Sequence, residues 1–454
     1  MKHAFYGSEI KQTLKVASPL IAANLVQASS SFISTLMLAK LGTDSLAASG
    51  LVSPLYFALI VIFWGMLSGI SVLVAQAHGA NQPNRIRAIM HQGILFTSLI
   101  SIPMMLILWV IPRLLKYNMV EPVIVELASQ YLQAMIWIVI PGSCLVLVEQ
   151  LLIGIQKASA VMFLSLLSVP LEIAASYIFI FGKFGLPAFG VAGVGYGFAL
   201  AYALVSILAI IYISWHKDIK PYRIFIQLPR LELRFLHEIF RIGWPIGAMY
   251  GIEVSLFAAL ALFMGKVGAI ALDAHQIVMQ FMGPEITVSF ALMQATSIRV
   301  GHAIGSKNFS SLPAIGQAGM LLATLVALAI GIIYCLFPRW IVGLDISPEQ
   351  AGGADILALT TKLLMIIAVF QVAEAVRIVA MGGLRGMKDT RFPMFNSLIS
   401  FWLIGFSLSY LLGVVLQCDA VGLWLGITIG AICGALILAL RYRRLAKRYM
   451  LIAT

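Results

Sequence analysis

With 454 residues, 61% of them hydrophobic and only 11% charged, the chain sits far from the composition of a soluble protein, which is nearer half apolar and a quarter charged. That balance excludes a sizeable soluble domain and points to an integral membrane protein. The formal charge of +12 would suit nucleic acid, but its placement along the chain, given below, excludes that partner.

The first residues, Met1 to Lys15, are mixed polar and lack the apolar core and cleavage site of a signal peptide. A bilayer core of about 30 Å needs about 20 apolar residues at 1.5 Å rise each. Twelve stretches qualify, at roughly 15–38, 50–75, 88–111, 127–153, 160–182, 191–214, 243–265, 275–298, 313–337, 355–382, 393–416 and 420–440. Pro54 in the second, Pro141 in the fourth and Pro170 in the fifth predict bends, and Gly65, Gly69 and Gly142 predict close packing. Between spans six and seven, Trp215 to Arg241 alternates basic and apolar residues around Pro221 and Pro229, so part of it is expected on the membrane surface as an amphipathic helix. A polar break is expected at Asp273-Ala-His275-Gln276, separating spans seven and eight. Cys144, Cys335, Cys418 and Cys433 have no CxxC spacing and read as small buried hydrophobes rather than disulfides or metal ligands.

Of the 30 Lys and Arg residues, 22 fall in segments on the side of the N-terminus, Arg299 among them. Seven fall on the opposite side and one, Arg377, inside a span. The positive-inside rule therefore places both termini in the cytoplasm. The basic charge is a topology signal with affinity for anionic headgroups, not a nucleic-acid footprint.

The chain also repeats. At a single constant offset Pro19 meets Pro245, Gly42 meets Gly268, Ala48 meets Ala274, Gly79 meets Gly305 and Gln27 meets Glu253. Two homologous halves of six spans follow: a lobe over 1–214, a basic linker over 215–241, a second lobe over 242–440 and a basic tail over 441–454. Halves with an even number of spans insert in the same sense and relate by an axis along the membrane normal, with substrate sites near the midplane.

Charges at bilayer depth are expensive and functional by default. Glu253 and Glu285 lie in spans seven and eight; Tyr250, Phe257, Met249, Phe281 and Met282 are their sequence neighbours, and Gln280 offers a hydrogen bond. Aromatic faces attract organic cations, and methionine adapts to varied shapes, although the same residues serve equally as packing. His275 and His302 read as helix-end capping or packing groups, not ligands. Walker A, HExxH and GxSxG patterns are missing, so neither an enzyme nor an ATP-driven pump is expected.

Linked motifs carry a resemblance. Gly251-Ile-Glu253-Val-Ser-Leu-Phe-Ala, Ala274-His275-Gln276, Ser297-Ile-Arg299-Val-Gly301-His302, Gly383-Leu-Arg385-Gly386-Met-Lys388-Asp389 and Gly422-Leu-Trp424-Leu-Gly426 together resemble the NorM-type branch of the MATE (multidrug and toxic compound extrusion) transporters. So do Lys183-Phe-Gly185-Leu-Pro187 and Gly193-Val-Gly195 in the first half. The resemblance implies an all-α integral membrane fold of twelve transmembrane helices in two pseudo-symmetric six-helix lobes, arranged as a V. It implies an antiporter that expels organic cations and amphiphilic drugs in exchange for inward Na+ or H+, with no cofactor. It implies a bacterial-type cytoplasmic membrane, the bilayer as surroundings and a monomer. It also assigns Glu253 and Glu374 to a cation or substrate site, where Na+, if it is the coupling ion, is held.

The chain departs from the family pattern at four places. Ser34 stands where many bacterial members have a span-one acid, and Ser176 where they have a span-five Asn; Gln27, Glu149 and Glu172 are the remaining polar groups of that lobe, and either Glu149 or Glu172 is a candidate substitute. Arg377 lies three residues after Glu374, on the same helix face. It either pairs with Glu374, making Glu253 the coupling acid, or faces a cavity and favours zwitterions or anions. Glu285 replaces an apolar residue and is a candidate partner for Arg377. The competing functions are a dedicated exporter of a zwitterionic or anionic metabolite, a lipid-linked sugar flippase of the same superfamily, and, less suited to a lobed repeat, a channel.

Overall fold

The structure is a computed structural model that describes residues 2–115, 121–224, 231–343 and 352–452. Its described residues are helical throughout, apart from turns and short connections. Among the described residues, eleven helices are long and apolar enough to cross a membrane. The helix Ala269–Gly305 is long enough, at 37 residues, but carries Asp273, Glu285 and Arg299, which lower its apolar character.

The first half supplies α1 (Lys2–Ala39), α2 (Thr43–Leu67), α3 (Gly69–Gly79), α4 (Pro83–Leu115), α5 (Pro122–Gly154), α6 (Ala158–Phe181) and α7 (Ala192–Trp215). The second supplies α8 (Leu233–Val267), α9 (Ala269–Gly305), α10 (Leu312–Leu336), the short α11 (Pro338–Val342), α12 (Gly353–Gly386), α13 (Arg391–Ser397), α14 (Ser407–Ser409) and α15 (Asp419–Ile452). Around α14, residues 398–406 and 410–415 are wound as π-helix, the wider winding that appears mostly at functional sites. The segment before α8 holds a single 3-10 turn at Lys220–Tyr222. The expected amphipathic helix falls partly on residues 225–230, including Pro229, which lie outside the described residues; α8 starts at Leu233, inside that segment.

Two compact units emerge, residues 22–247 and residues 1–21 with 248–454. The chain changes unit within α1, after Ile21, and within α8, after Gly247. Those two points occupy matching positions of the sequence repeat. In the unit 22–247 the central helix is α5, packed by α2, α3, α4 and α7. In the other it is α12, packed by α9, α10 and α15. Both are the fourth span of their half. The core of the second unit gathers Leu256, Leu260, Met264, Val278, Met282, Phe370, Phe401 and Trp424. Gly193 at the start of α7 lies so close to α6 that a Cβ there would meet the Ile180 amide at 2.5 Å.

Several expectations are corrected. The break between spans seven and eight is Gly268, not Asp273–Gln276, which lie inside α9. Gly268 takes φ 151° and its repeat partner Gly42 takes φ 120°, conformations open to glycine and strained for other residues. Asp273 and Gln276 tolerate the helix because they face outward while Ala274 and His275 face the core. His275 is accordingly no helix-end cap and packs on Trp424, ring centroids 5.6 Å apart. Gly193-Val-Gly195 belongs to the start of α7. Cys335 and Cys418 are exposed rather than buried, since an apolar run in such a chain does not by itself imply burial. Arg299 is not in a loop either. It is buried near the end of α9, where it donates to the Glu9 carbonyl at 2.9 Å, Thr13 Oγ1 at 2.5 Å and Gln12 Oε1 at 2.9 Å and pairs with the Glu9 carboxylate.

Candidate functional site

Two acidic clusters lie inside the helices, one in each unit. In the unit that holds α12, Arg377 is fully buried and is met from two helices. Glu374, one turn earlier on α12, takes the guanidinium with both oxygens, Nε to Oε2 at 2.8 Å and Nη2 to Oε1 at 2.5 Å. Glu253 on α8 accepts from Nη1 through Oε1 at 2.8 Å. Ser397 at the end of α13 lies 3.2 Å from Nη1 and donates to the same Glu253 oxygen at 3.0 Å. Phe401, one turn after Ser397, stacks under the guanidinium at 4.6 Å, adding a cation–π contact. Among the described residues no hydrogen bond engages Glu253 Oε2. One fixed positive charge thus faces two carboxylates, so with both ionised the cluster keeps one net negative charge.

Arg377 therefore pairs as one of its two expectations held, but with both acids and not with Glu374 alone. Glu285 does not accept its charge. Its Oε1 takes the Ser289 hydroxyl at 2.6 Å, and its buried Oε2 has no partner. Tyr250 is buried, stacks obliquely on Phe290 at 5.9 Å and reaches Arg385. Phe257 and Phe281 flank the apolar core and Met282 lies within it; Met249 is buried and Gln280 exposed.

In the unit 22–247 the centre is Glu172 on α6, fully buried. Gln27 Nε2 donates to both of its oxygens at 3.1 and 3.0 Å, Ser30 Oγ donates to Oε2 at 2.6 Å, and Ser168 donates to Oε1. Tyr202 Oη is 3.3 Å from the same Gln27 amide. Glu149 on α5 is a like-charged neighbour. Donors here are neutral; no Lys or Arg meets Glu172 among the described contacts. Beside this cluster lies a cavity of about 470 Å³ bordered by Gln27, Ser34, Tyr56, Tyr131, Phe198 and Tyr202. Ser34 is buried with its hydroxyl unpartnered. The volume lies within the range of small-molecule pockets, about 300–1,000 Å³.

The sequence identified the acids and, of the groups that hold them, Arg377 and Gln27, but not Ser397, Ser30 or Ser168. Ser397 lies beside Asn396 and three residues before Ser400, a small polar face in an otherwise apolar span that offers the one sequence signal for it. Ser168 was legible in principle, since it lies one turn before Glu172 on the same helix face. Among the described residues no group of three or more His, Cys, Asp or Glu side chains has the arrangement of a metal site.

The family model MatE matches residues 19–178 and 245–411, the two halves of the repeat. A probable multidrug resistance protein NorM of Synechocystis sp. is 31% identical over 444 residues, covering 97% of this chain and 96% of that one. Among solved structures, a eukaryotic MATE transporter superposes with a TM-score of 0.86 at 20% identity, over 99% of this chain and 100% of that one. A MOP superfamily transporter from Pyrococcus furiosus, described by a binding pocket of reverse polarity that suggests a different function, gives 0.86 at 19% identity over 97% of each chain. At these identities the structural likeness concerns the fold.

Proposed function

The chain belongs to the MatE family of membrane transporters, and from that premise we propose that it is a multidrug antiporter exporting organic cations and amphiphiles in exchange for Na+ or H+. The relative from Synechocystis carries the multidrug name. The charge of the α8–α12 cluster agrees with cationic cargo. A pocket of reverse polarity is described for the Pyrococcus furiosus transporter; here the one guanidinium is engaged by two carboxylates, and the balance stays negative. The aromatic cavity of the unit 22–247 suits an organic cation through its ring faces.

The observation that carries the mechanism is the asymmetry between the two acids. Glu374 grips Arg377 with both oxygens, a bidentate pair of the strong kind. Glu253 uses one oxygen and is the more accessible, its side chain 13% exposed against 8%. Glu253 Oε2 is then the atom that takes a proton or helps to hold Na+, which neutralises the cluster; release restores one negative charge. An inward gradient drives this step with about 2.3 kcal/mol per charge per 100 mV. In this reading the chain sits in a cytoplasmic membrane, the lysine and arginine bias supports both termini inside, and the two units serve as the lobes of alternating access. A well-expressed Glu253→Gln variant should lose gradient-driven efflux of a cationic dye from cells; unchanged efflux would refute the assignment.

A further inference from the structure

Outside both acidic clusters, the unit 22–247 has a basic cavity of about 910 Å³ where α4 and α8 begin. Four arginines border it: Arg85 and Arg87 from the first two turns of α4, Arg234 and Arg241 from the first three turns of α8. Glu232 and Glu238 also border it, so the formal balance of these six side chains is +2 with histidine neutral. Arg85 approaches Glu238 at 3.6 Å, and Arg87 Nη2 donates to Asn84 Oδ1 at 3.3 Å. Arg85 Nε is a buried donor with no hydrogen-bond partner, and a buried donor is costly to leave unsatisfied. His91 is held at the wall by a 2.7 Å contact between Nε2 and the Ile224 carbonyl.

The backbone adds to the positive field. Helices α4 and α8 both start here, and helix N-termini present free amides and the positive end of the dipole. Guanidinium groups match phosphate with paired donors. The flanks are apolar: Leu233 and Phe240 on α8, and Leu99, Ile102 and Leu106 further along α4, are exposed, and Phe96 and Phe240 bring the two helices together at 6.5 Å between ring centroids. From Arg85 to Leu99 is fourteen residues, roughly 21 Å along a helix, about the depth of one leaflet with its headgroups, so Leu233 and Phe240 flank the start of an acyl chain whose headgroup sits in the cavity and Leu99 lies at its end. Basic pockets between helices at the membrane surface are a known setting for anionic headgroups.

We propose that the arginine cavity at the start of α4 and α8 binds phosphate esters, with an anionic phospholipid headgroup as the occupant and its acyl chains along the exposed apolar faces of those helices. A soluble phosphate is the other source of the same chemistry. The site is distinct from the transport clusters and does not depend on the transport reading.

The test uses purified full-length protein in neutral detergent, titrated with cardiolipin, phosphatidylcholine or inorganic phosphate and read by native mass spectrometry and thermal shift. Cardiolipin should bind and raise the melting temperature, phosphatidylcholine should not, and the Arg234→Gln/Arg241→Gln variant should bind cardiolipin about thirtyfold more weakly. Inorganic phosphate that binds with the same arginine dependence while cardiolipin does not would keep the phosphate chemistry and overturn the lipid as occupant. Binding of both that ignores the arginines, or no binding of either, overturns the proposal. If the double arginine variant fails to fold, Glu232→Gln/Glu238→Gln is read instead: removing the two carboxylates should tighten cardiolipin binding, and unchanged affinity overturns the site.

Discussion

At the first helix of each half the chain places Gln27 and, at the matching position of the repeat, Glu253. At the fifth it places Glu172 and, just before the matching position, Ser397. Gln27 donates to Glu172 in one unit and Ser397 donates to Glu253 in the other. The same contact between first and fifth helices is thus drawn twice, with acid and neutral partner exchanged. What breaks the symmetry is Arg377, whose counterpart in the first half is Leu151. Without a guanidinium, Glu172 is held by hydroxyls and an amide that engage both of its oxygens. With one, Glu374 is clamped and Glu253 keeps an oxygen open. A duplicated scaffold thus holds one carboxylate closed by neutral donors and one that shares a guanidinium and keeps an oxygen open.

That comparison can be broken at its strongest point first. Arg377→Met leaves Glu253 and Glu374 facing each other in a buried site, and losing one member of a buried ion cluster costs about 3–5 kcal/mol. Thermal unfolding in detergent should show the largest fall of any variant named here. Replacing Arg377 and Glu374 together by Met should recover most of it, because apolar replacement of a whole buried pair is often close to neutral; no recovery would mean that Arg377 matters chiefly for packing on Phe401.

In the other unit the acceptor is the weak point. Glu172→Ala strands the donors of Gln27, Ser30 and Ser168 and should lower stability by about 2–3 kcal/mol. A melting temperature equal to that of the parent would show that water replaces the carboxylate and that the cluster is wet. Least affected should be Tyr202→Phe, whose hydroxyl touches Gln27 at 3.3 Å; about 0.5 kcal/mol is expected. A larger loss would make Tyr202 part of the carboxylate's support rather than of the cavity wall.

Much of this was legible in the sequence, and the illegible remainder has physical causes. Apolar length announced the spans, and the constant offset between matching residues announced the halves, because both are written in single residue types. The junction of α8 and α9 was misplaced because polar Asp273 and Gln276 look like a loop, whereas a helix accepts them on an outward face and turns where Gly268 allows φ 151°. Glu253 and Glu374 stood out because acids are rare in lipid. The reach of Arg377 to α8 was hidden, since spacing reveals neighbours on one helix and says nothing of the next one. Ser397 was hidden for the same reason: the small polar face of Asn396, Ser397 and Ser400 gains meaning only from the guanidinium and carboxylate across from it.

The most direct measurement puts the purified protein, as parent, Glu253→Gln and Glu172→Gln, into liposomes loaded with a cationic dye under an imposed Na+ or pH gradient. The account predicts that the parent moves dye under at least one gradient, that Glu253→Gln does not respond to that gradient, and that Glu172→Gln still does. Gradient-driven movement that survives in Glu253→Gln and disappears in Glu172→Gln would contradict it and place charge exchange in the unit that has no arginine.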